Sequence, residues 1–269
     1  MGLRFVKFAA LAMVLATGFV GAGAEAKVKG QKATYKVGDQ EFTGYLAYDD
    51  ATGGKRPGVV VVHEWWGHDA YARRRAEVLA ANGYTAIALD MYGTGKHADH
   101  PKDAKAFMME AVKSADVMQA RFRAAYDLLK KQDTVDGSKI AAIGYCFGGK
   151  VVLDMARMGV DLKGVASFHG NLTPAVKAKR GVTMAKVRVF NGADDGLVKS
   201  EAISALRAEM ARAGVDYQIV NYPGAVHSFT NPGATEKGKK FKMPLAYNAA
   251  ADGDSWQKTL VFFEEIFSN

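Results

Sequence analysis

Six short, strongly apolar runs recur along the chain, and they limit its fold more than any other feature. They are "GVVVVH" (58–63), "YTAIALD" (84–90), "KIAAIGY" (139–145), "KGVASFH" (163–169), "KVRVFNG" (186–192) and "DYQIVNY" (from 216). A strand that is apolar at every position, not only at alternate ones, is covered on both faces, which is the condition of a parallel sheet. Helical periodicity lies between most of the runs. From Lys105 to Lys131, Phe107, Ala111, Ala115, Met118, Phe122, Ala125 and Leu129 recur every three or four residues, so the spacing predicts one long helix. Shorter helices are expected at 70–82, 147–158 and 199–213, and a last one from about Ser255 with Trp256, Leu260, Phe263 and Phe267 on one face. Residues 32 to 48 instead alternate about Gly38-Asp39, which predicts an antiparallel hairpin ahead of the α/β sandwich.

The 269 residues suit one well-packed domain, and no repeat, low-complexity tract or Pro/Gly linker divides them. Residues 1–26 differ from the rest. Arg4 and Lys7 precede "FAALAMVLATGFVGAGAEA", which ends in the small residues Ala24 and Ala26 that a signal peptidase reads. A cleaved signal peptide is expected, with cleavage after Ala26, a mature domain of residues 27–269, and a periplasmic or secreted location. The interrupting Gly18, Gly21 and Gly23 argue against a spanning anchor, so no membrane association is expected after cleavage. The formal charge of +8 is scattered; its longest basic run, Arg73-Arg74-Arg75, reads as a solvated helix face and not as a nucleic-acid patch.

An exported chain usually pairs its cysteines, yet this one has a single cysteine, Cys146, in "AAIGYCFGGKVV" (141–152). The stretch nearly matches a phosphate-binding G-x-x-x-x-G-K-[ST] loop, but Val151 stands where the magnesium-binding hydroxyl belongs. A second reading fits better. Gly144-Tyr145-Cys146-Phe147-Gly148 is G-x-S-x-G with Cys for Ser, a strand-turn-helix elbow that projects a nucleophile from the C-terminal edge of a sheet. An acid and a histidine follow it in the order that elbow requires. "VFNGADDGLV" brings Asp194 and Asp195 just after one strand, and "NYPGAVHSF" brings His227 after the next.

A thiol with a pKa near ~8.5 reacts as thiolate, so His227 is the expected base, and one of the two aspartates orients it. The N–H of Phe147 and that of Trp65 are the expected oxyanion donors. His63, His68, His97, His100 and His169 are of a metal-binding residue type, but "HEWWGH" has the wrong spacing for H-E-x-x-H and lies at a strand end. No metal and no cofactor are expected.

Taken together, "HEWWG" (63–67), "GYCFGG" (144–149), "GADDGLV" (192–198) and "AVHSF" (225–229) resemble the dienelactone hydrolase family. The resemblance implies an α/β-hydrolase fold with a mostly parallel central sheet, helices on both faces and hydrolysis of a carboxylic ester or lactone through a Cys-Asp-His triad. It selects Asp195 over Asp194, and it implies that Glu64 hydrogen-bonds and activates the resting thiol. Members acting on muconic lactones carry arginines where this chain has Lys96, Thr230 and Asn231, so a bulkier, less acidic ester is expected, with Trp66, Tyr145, His169 and Lys96 as candidate substrate-lining residues. The expected partner is therefore a small-molecule ester or lactone, met by a monomer or small homo-oligomer. The competing class is a non-catalytic binding protein on the same fold, against which the complete triad argues.

Overall fold

The computed structural model describes residues 27–51 and 53–268. The expected signal peptide and its cleavage point after Ala26 lie outside the described residues. The chain opens with the antiparallel strands β1 (Val28–Val37) and β2 (Gln40–Asp49), and Gly38 at their turn takes a positive φ of 57°. There follow β3 (Arg56–Val62), α1 (Ala70–Ala81), β4 (Thr85–Leu89), α2 (Pro101–Ala111), α3 (Ala115–Lys130) and β5 (Val135–Tyr145). The second half comprises α4 (Phe147–Arg157), β6 (Gly164–Phe168), β7 (Lys186–Gly192), α5 (Ser200–Ala213), β8 (Tyr217–Tyr222), α6 (Ala234–Phe241) and α7 (Ala249–Phe267).

All eight strands form one sheet in the order β1-β2-β4-β3-β5-β6-β7-β8; β2 joins β4 antiparallel, and every pairing from β4 to β8 is parallel. The continuous apolar runs now have their reason. Val60 and Val62 of β3 face a core shared with α3, α4 and α5, while Val59 and Val61 face one shared with α1 and α7. Each fully buried valine contributes about 1.5 kcal/mol or more, on both sides of the sheet.

Three sequence expectations need correction. The predicted helix over 105–131 is two helices: Val112 ends α2, and Ser114 caps α3 by accepting a hydrogen bond from Val117 N at 3.2 Å. The stripe is nearly continuous in sequence, but a serine side chain satisfies the freed amide and allows the break. The last helix begins at Ala249, not near Ser255, because Asn248 accepts from Ala251 N at 3.1 Å. Arg75, read as part of a solvated triplet, is buried. It pairs with Asp252, donates to Thr230 O at 2.8 Å, and lies over the rings of Tyr71, Tyr145 and Trp256.

Helix α6 has no counterpart among the expected elements, since "ATEKGKKF" offers no apolar stripe. No helix among the described residues is long and apolar enough to cross a membrane.

Candidate active site

The C-terminal edges of the parallel strands carry the site, where loops leave an open α/β sheet. After β5 the chain turns sharply at Cys146, whose φ of 53° and ψ of −111° lie in a region that L-residues rarely adopt. Two close approaches hold the turn. A Cβ on Gly144 would come within 2.0 Å of Gly148 O, and one on Gly148 within 2.2 Å of Val62 O. The elbow glycines are thus required by backbone packed against backbone. Cys146 N–H is shared between Phe168 O at 3.0 Å and His169 Nδ1 at 3.1 Å, which ties the strained residue to β6.

After β7, Asp195 is buried and Asp194 is exposed. One oxygen of the Asp195 carboxylate accepts from Leu197 N at 2.8 Å and the other from His227 Nδ1 at 2.8 Å. Gly192 lets the two loops meet, because a Cβ there would approach Ala225 O to 2.4 Å. The structure therefore brings Asp195, and not Asp194, to the histidine.

His227 is buried and faces the same cavity as Cys146. Burial opposes its charge, but the influence of nearby Cys146 and the bond to Asp195 outweigh burial and push its pKa up to about 10. This arrangement favours the protonated form of the His227 imidazole. A segment beyond α6 holds the backbone of His227: Leu245 pairs with it in a short bridge, and Ala246 N donates to His227 O at 3.3 Å.

Glu64, at the end of β3, is where the structure departs most from the resemblance. Its carboxylate accepts from Ser228 Oγ at 2.7 Å and from Asn231 Nδ2 at 2.6 Å, so the loop that carries His227 supplies its partners. Ser228 reaches it from a positive φ of 58°. The hydrogen bond to the resting thiol implied by the resemblance gives way to two donors absent from the expected set. Burial raises the pKa of Glu64, and the bond from Ser228 opposes the rise.

A cavity of about 440 Å³ opens over Cys146 and His227. Trp65 and Phe147, the expected oxyanion donors, both line it; Phe147 opens α4, and Tyr92 Oη holds Trp65 O at 3.0 Å. The remaining wall is Met108, Met109 and Val112 from the α2–α3 break, Leu197 and Val198 beside Asp195, Met243 and Leu245 after α6, and the polar Lys150 and Asn171.

None of the four candidate substrate-lining residues is in that wall. Tyr145 points to the opposite face of the sheet from Cys146 and stacks on Phe168 at 4.8 Å. Trp66 packs on Phe241 at 5.8 Å. Lys96 pairs with Glu110 at 3.5 Å. His169 lies behind the elbow, accepting from Cys146 N and donating from Nε2 to Thr230 Oγ1 at 2.8 Å. Burial, with help from His227 nearby, holds its pKa well below the ordinary imidazole value, so it is neutral.

Two further histidines, His63 and His100, have structural places. His63 bridges strand ends, with Nδ1 donating to Glu64 O at 2.5 Å and Nε2 accepting from Met91 N at 3.2 Å. His100 caps α2 by accepting from Lys102 N at 3.2 Å.

The model of the dienelactone hydrolase family matches residues 42–267. Protein usf of Aquifex pyrophilus is 29% identical over 246 residues, which cover 89% of this chain and all of that protein. Two solved structures share the fold along most of the chain. The dienelactone hydrolase-like promiscuous phosphotriesterase P91 from metagenomic libraries has 35% identity and a TM-score of 0.81, covering 89% of this chain and 98% of its own. A protein named m3DLH has 38% identity and a TM-score of 0.84, covering 89% and 99%.

Proposed function

The chain belongs to the dienelactone hydrolase family and is a hydrolase of ester bonds, and from that premise we propose that it hydrolyses a carboxylic ester or lactone through Cys146 as nucleophile. One observation carries the reading: Cys146 and His227 line one cavity, and Asp195 holds His227 Nδ1 at 2.8 Å from behind.

The chemistry follows from that geometry. The Cys146 thiolate attacks the substrate carbonyl carbon, and the developing oxyanion is met by the N–H groups of Phe147 and Trp65. As the tetrahedral intermediate collapses, the C–O bond to the leaving alkoxide breaks, and the His227 imidazolium gives that oxygen its proton. This leaves a thioester on Cys146. Neutral His227 then takes a proton from water, the hydroxide adds to the thioester carbonyl, and the thiolate departs as the imidazolium re-forms. Asp195 keeps the His227 ring oriented throughout. Glu64 acts on the same ring at one remove, by clamping Ser228 and Asn231.

We also propose export through the leader at 1–26, which would place this chemistry in the periplasm or outside the cell. The test of the nucleophile is hydrolysis of p-nitrophenyl acetate by the mature protein. Cys146→Ala is expected to lose at least about a thousandfold in kcat, the scale on which a triad nucleophile acts. Full activity in that variant would remove Cys146 from the role.

A further inference from the structure

We infer that the site selects a neutral ester or lactone bearing an apolar chain, and excludes substrates that carry a free carboxylate next to the scissile group. This rests on the cysteine-hydrolase reading and adds the substrate's chemical class. The wall of the cavity is apolar on three sides: Met108, Met109 and Val112, then Leu197 and Val198, then Met243 and Leu245. Three of these seven are methionines, whose flexible thioethers follow chains of different shape. The apolar lining also continues out of the mouth. Met109 and Leu197 are 55% and 52% exposed, and two large apolar side chains left in water at a pocket rim extend a path for a chain longer than the cavity.

Apart from His227, which Asp195 pairs, Lys150 is the cation in the wall, and it is already neutralised. Its Nζ donates to Asp154 at 2.8 Å and to Thr173 O at 2.7 Å. Asp154 in turn pairs with Arg157, which pairs with Glu209, each at 3.0 Å. The four charges form a buried or half-buried chain with no net charge. A substrate carboxylate would have to draw Lys150 out of it, leaving Asp154 under-compensated in a buried position. The carboxylate would otherwise enter an apolar cavity unpaired, which is strongly unfavourable. A neutral apolar chain meets neither obstacle.

The experiment measures kcat/KM of the wild type for p-nitrophenyl acetate, butyrate and hexanoate, for the alkyl acetates of matching length, and for the mono-p-nitrophenyl ester of glutaric acid against p-nitrophenyl pentanoate. In at least one neutral series kcat/KM is expected to rise, by up to about fourfold per methylene, the equivalent of ~0.8 kcal/mol per buried CH2. The acidic ester is expected to be about a hundredfold poorer than its neutral counterpart, as for a charge left unpaired in an apolar site. Met109→Lys, at an exposed rim position, is expected to lower the hexanoate-to-acetate ratio and to raise relative turnover of the acidic ester.

Flat chain-length series, or an acidic ester turned over as fast as pentanoate, would overturn the inference. The two readings fail differently. A flat series that still vanishes in Cys146→Ala leaves the nucleophile and removes the substrate class. A rising series that survives in Cys146→Ala does the reverse. No turnover of any neutral ester by the wild type removes both.

Discussion

Ser228 Oγ donates to Glu64 Oε1 at 2.7 Å, joining the residue directly after His227 to the end of β3 across 164 positions of sequence. With Asn231 on the other oxygen, Glu64 becomes the anchor of the histidine loop. The anchor has a pH signature. Burial raises the pKa of Glu64 above the ordinary carboxyl value, with Ser228 opposing. A carboxyl whose folded pKa is raised contributes stability that is fully present below its unfolded pKa, and loses it as pH rises through the folded value. Glu64→Gln keeps the shape of the protonated form and does not titrate. Urea unfolding at about pH 4 and about pH 7 should therefore show the wild type losing stability relative to Glu64→Gln as pH rises. The opposite trend would mean that the Ser228 and Asn231 bonds outweigh burial.

Asp195 and Asp194 are adjacent in sequence, and only Asp195 bonds His227, at 2.8 Å. Asp195→Asn presents an amide to His227 Nδ1 and favours the wrong tautomer, so kcat for p-nitrophenyl acetate is expected to fall by about a hundredfold to ten-thousandfold. Asp194→Asn changes an exposed carboxylate and should stay within about twofold, matching a stability effect within ~0.5 kcal/mol. Equal losses in the two variants would count against Asp195 as the orienting acid.

Gly148 and Gly253 make a paired test of the elbow. A Cβ at Gly148 would meet Val62 O at 2.2 Å and His63 O at 2.8 Å, whereas one at Gly253, on the exposed side of α7, meets nothing within 4 Å. Gly148→Ala forces backbone apart and is expected to destabilise by about 3 kcal/mol while abolishing esterase activity. Gly253→Ala should stabilise by about 0.5–1 kcal/mol, since only the helix-propensity term changes. Denaturant midpoints and the ester assay on both variants decide the matter, and a neutral Gly148→Ala would show that the elbow tolerates a Cβ.

What the sequence makes legible here is what depends on local pattern. Parallel strands are apolar throughout, and the loops after them carry chemistry, so Cys146, His227 and the pair Asp194-Asp195 stand out although they come from three separate loops, with only the family resemblance choosing Asp195. Side-chain direction is harder to read. Tyr145 adjoins the nucleophile in sequence, but the pleat sends it to the other core, where it stacks on Phe168. Trp66 similarly turns away to Phe241 while Trp65 lines the cavity. The apolar wall was hidden because Met108, Met109 and Val112 resemble part of one long helical stripe. Only the cap at Ser114, which breaks that helix, brings them over the site. Ser228 carries no local signal, and Asn231 stands out only as a position where relatives acting on muconic lactones carry an arginine. Their meaning depends on Glu64, far away in the chain.

The last prediction concerns the proton on His227. Burial alone would lower its pKa, but nearby Cys146, followed by the bond to Asp195, raises it to about 10. The Cys146 charge is the largest of the raising influences, so Cys146→Ala should remove most of the rise while the Asp195 bond remains. Nitrogen-15 NMR of the imidazole should show His227 titrating near the high value in the wild type and well below it in the variant. A raised imidazole pKa contributes stability that is fully present below the ordinary value near ~6.5, and loses it as pH climbs through the folded value. The stability difference between wild type and Cys146→Ala should accordingly shrink between about pH 8 and about pH 10. If His227 titrates alike in both proteins, its proton is held by Asp195 alone, and Cys146 has no part in holding it.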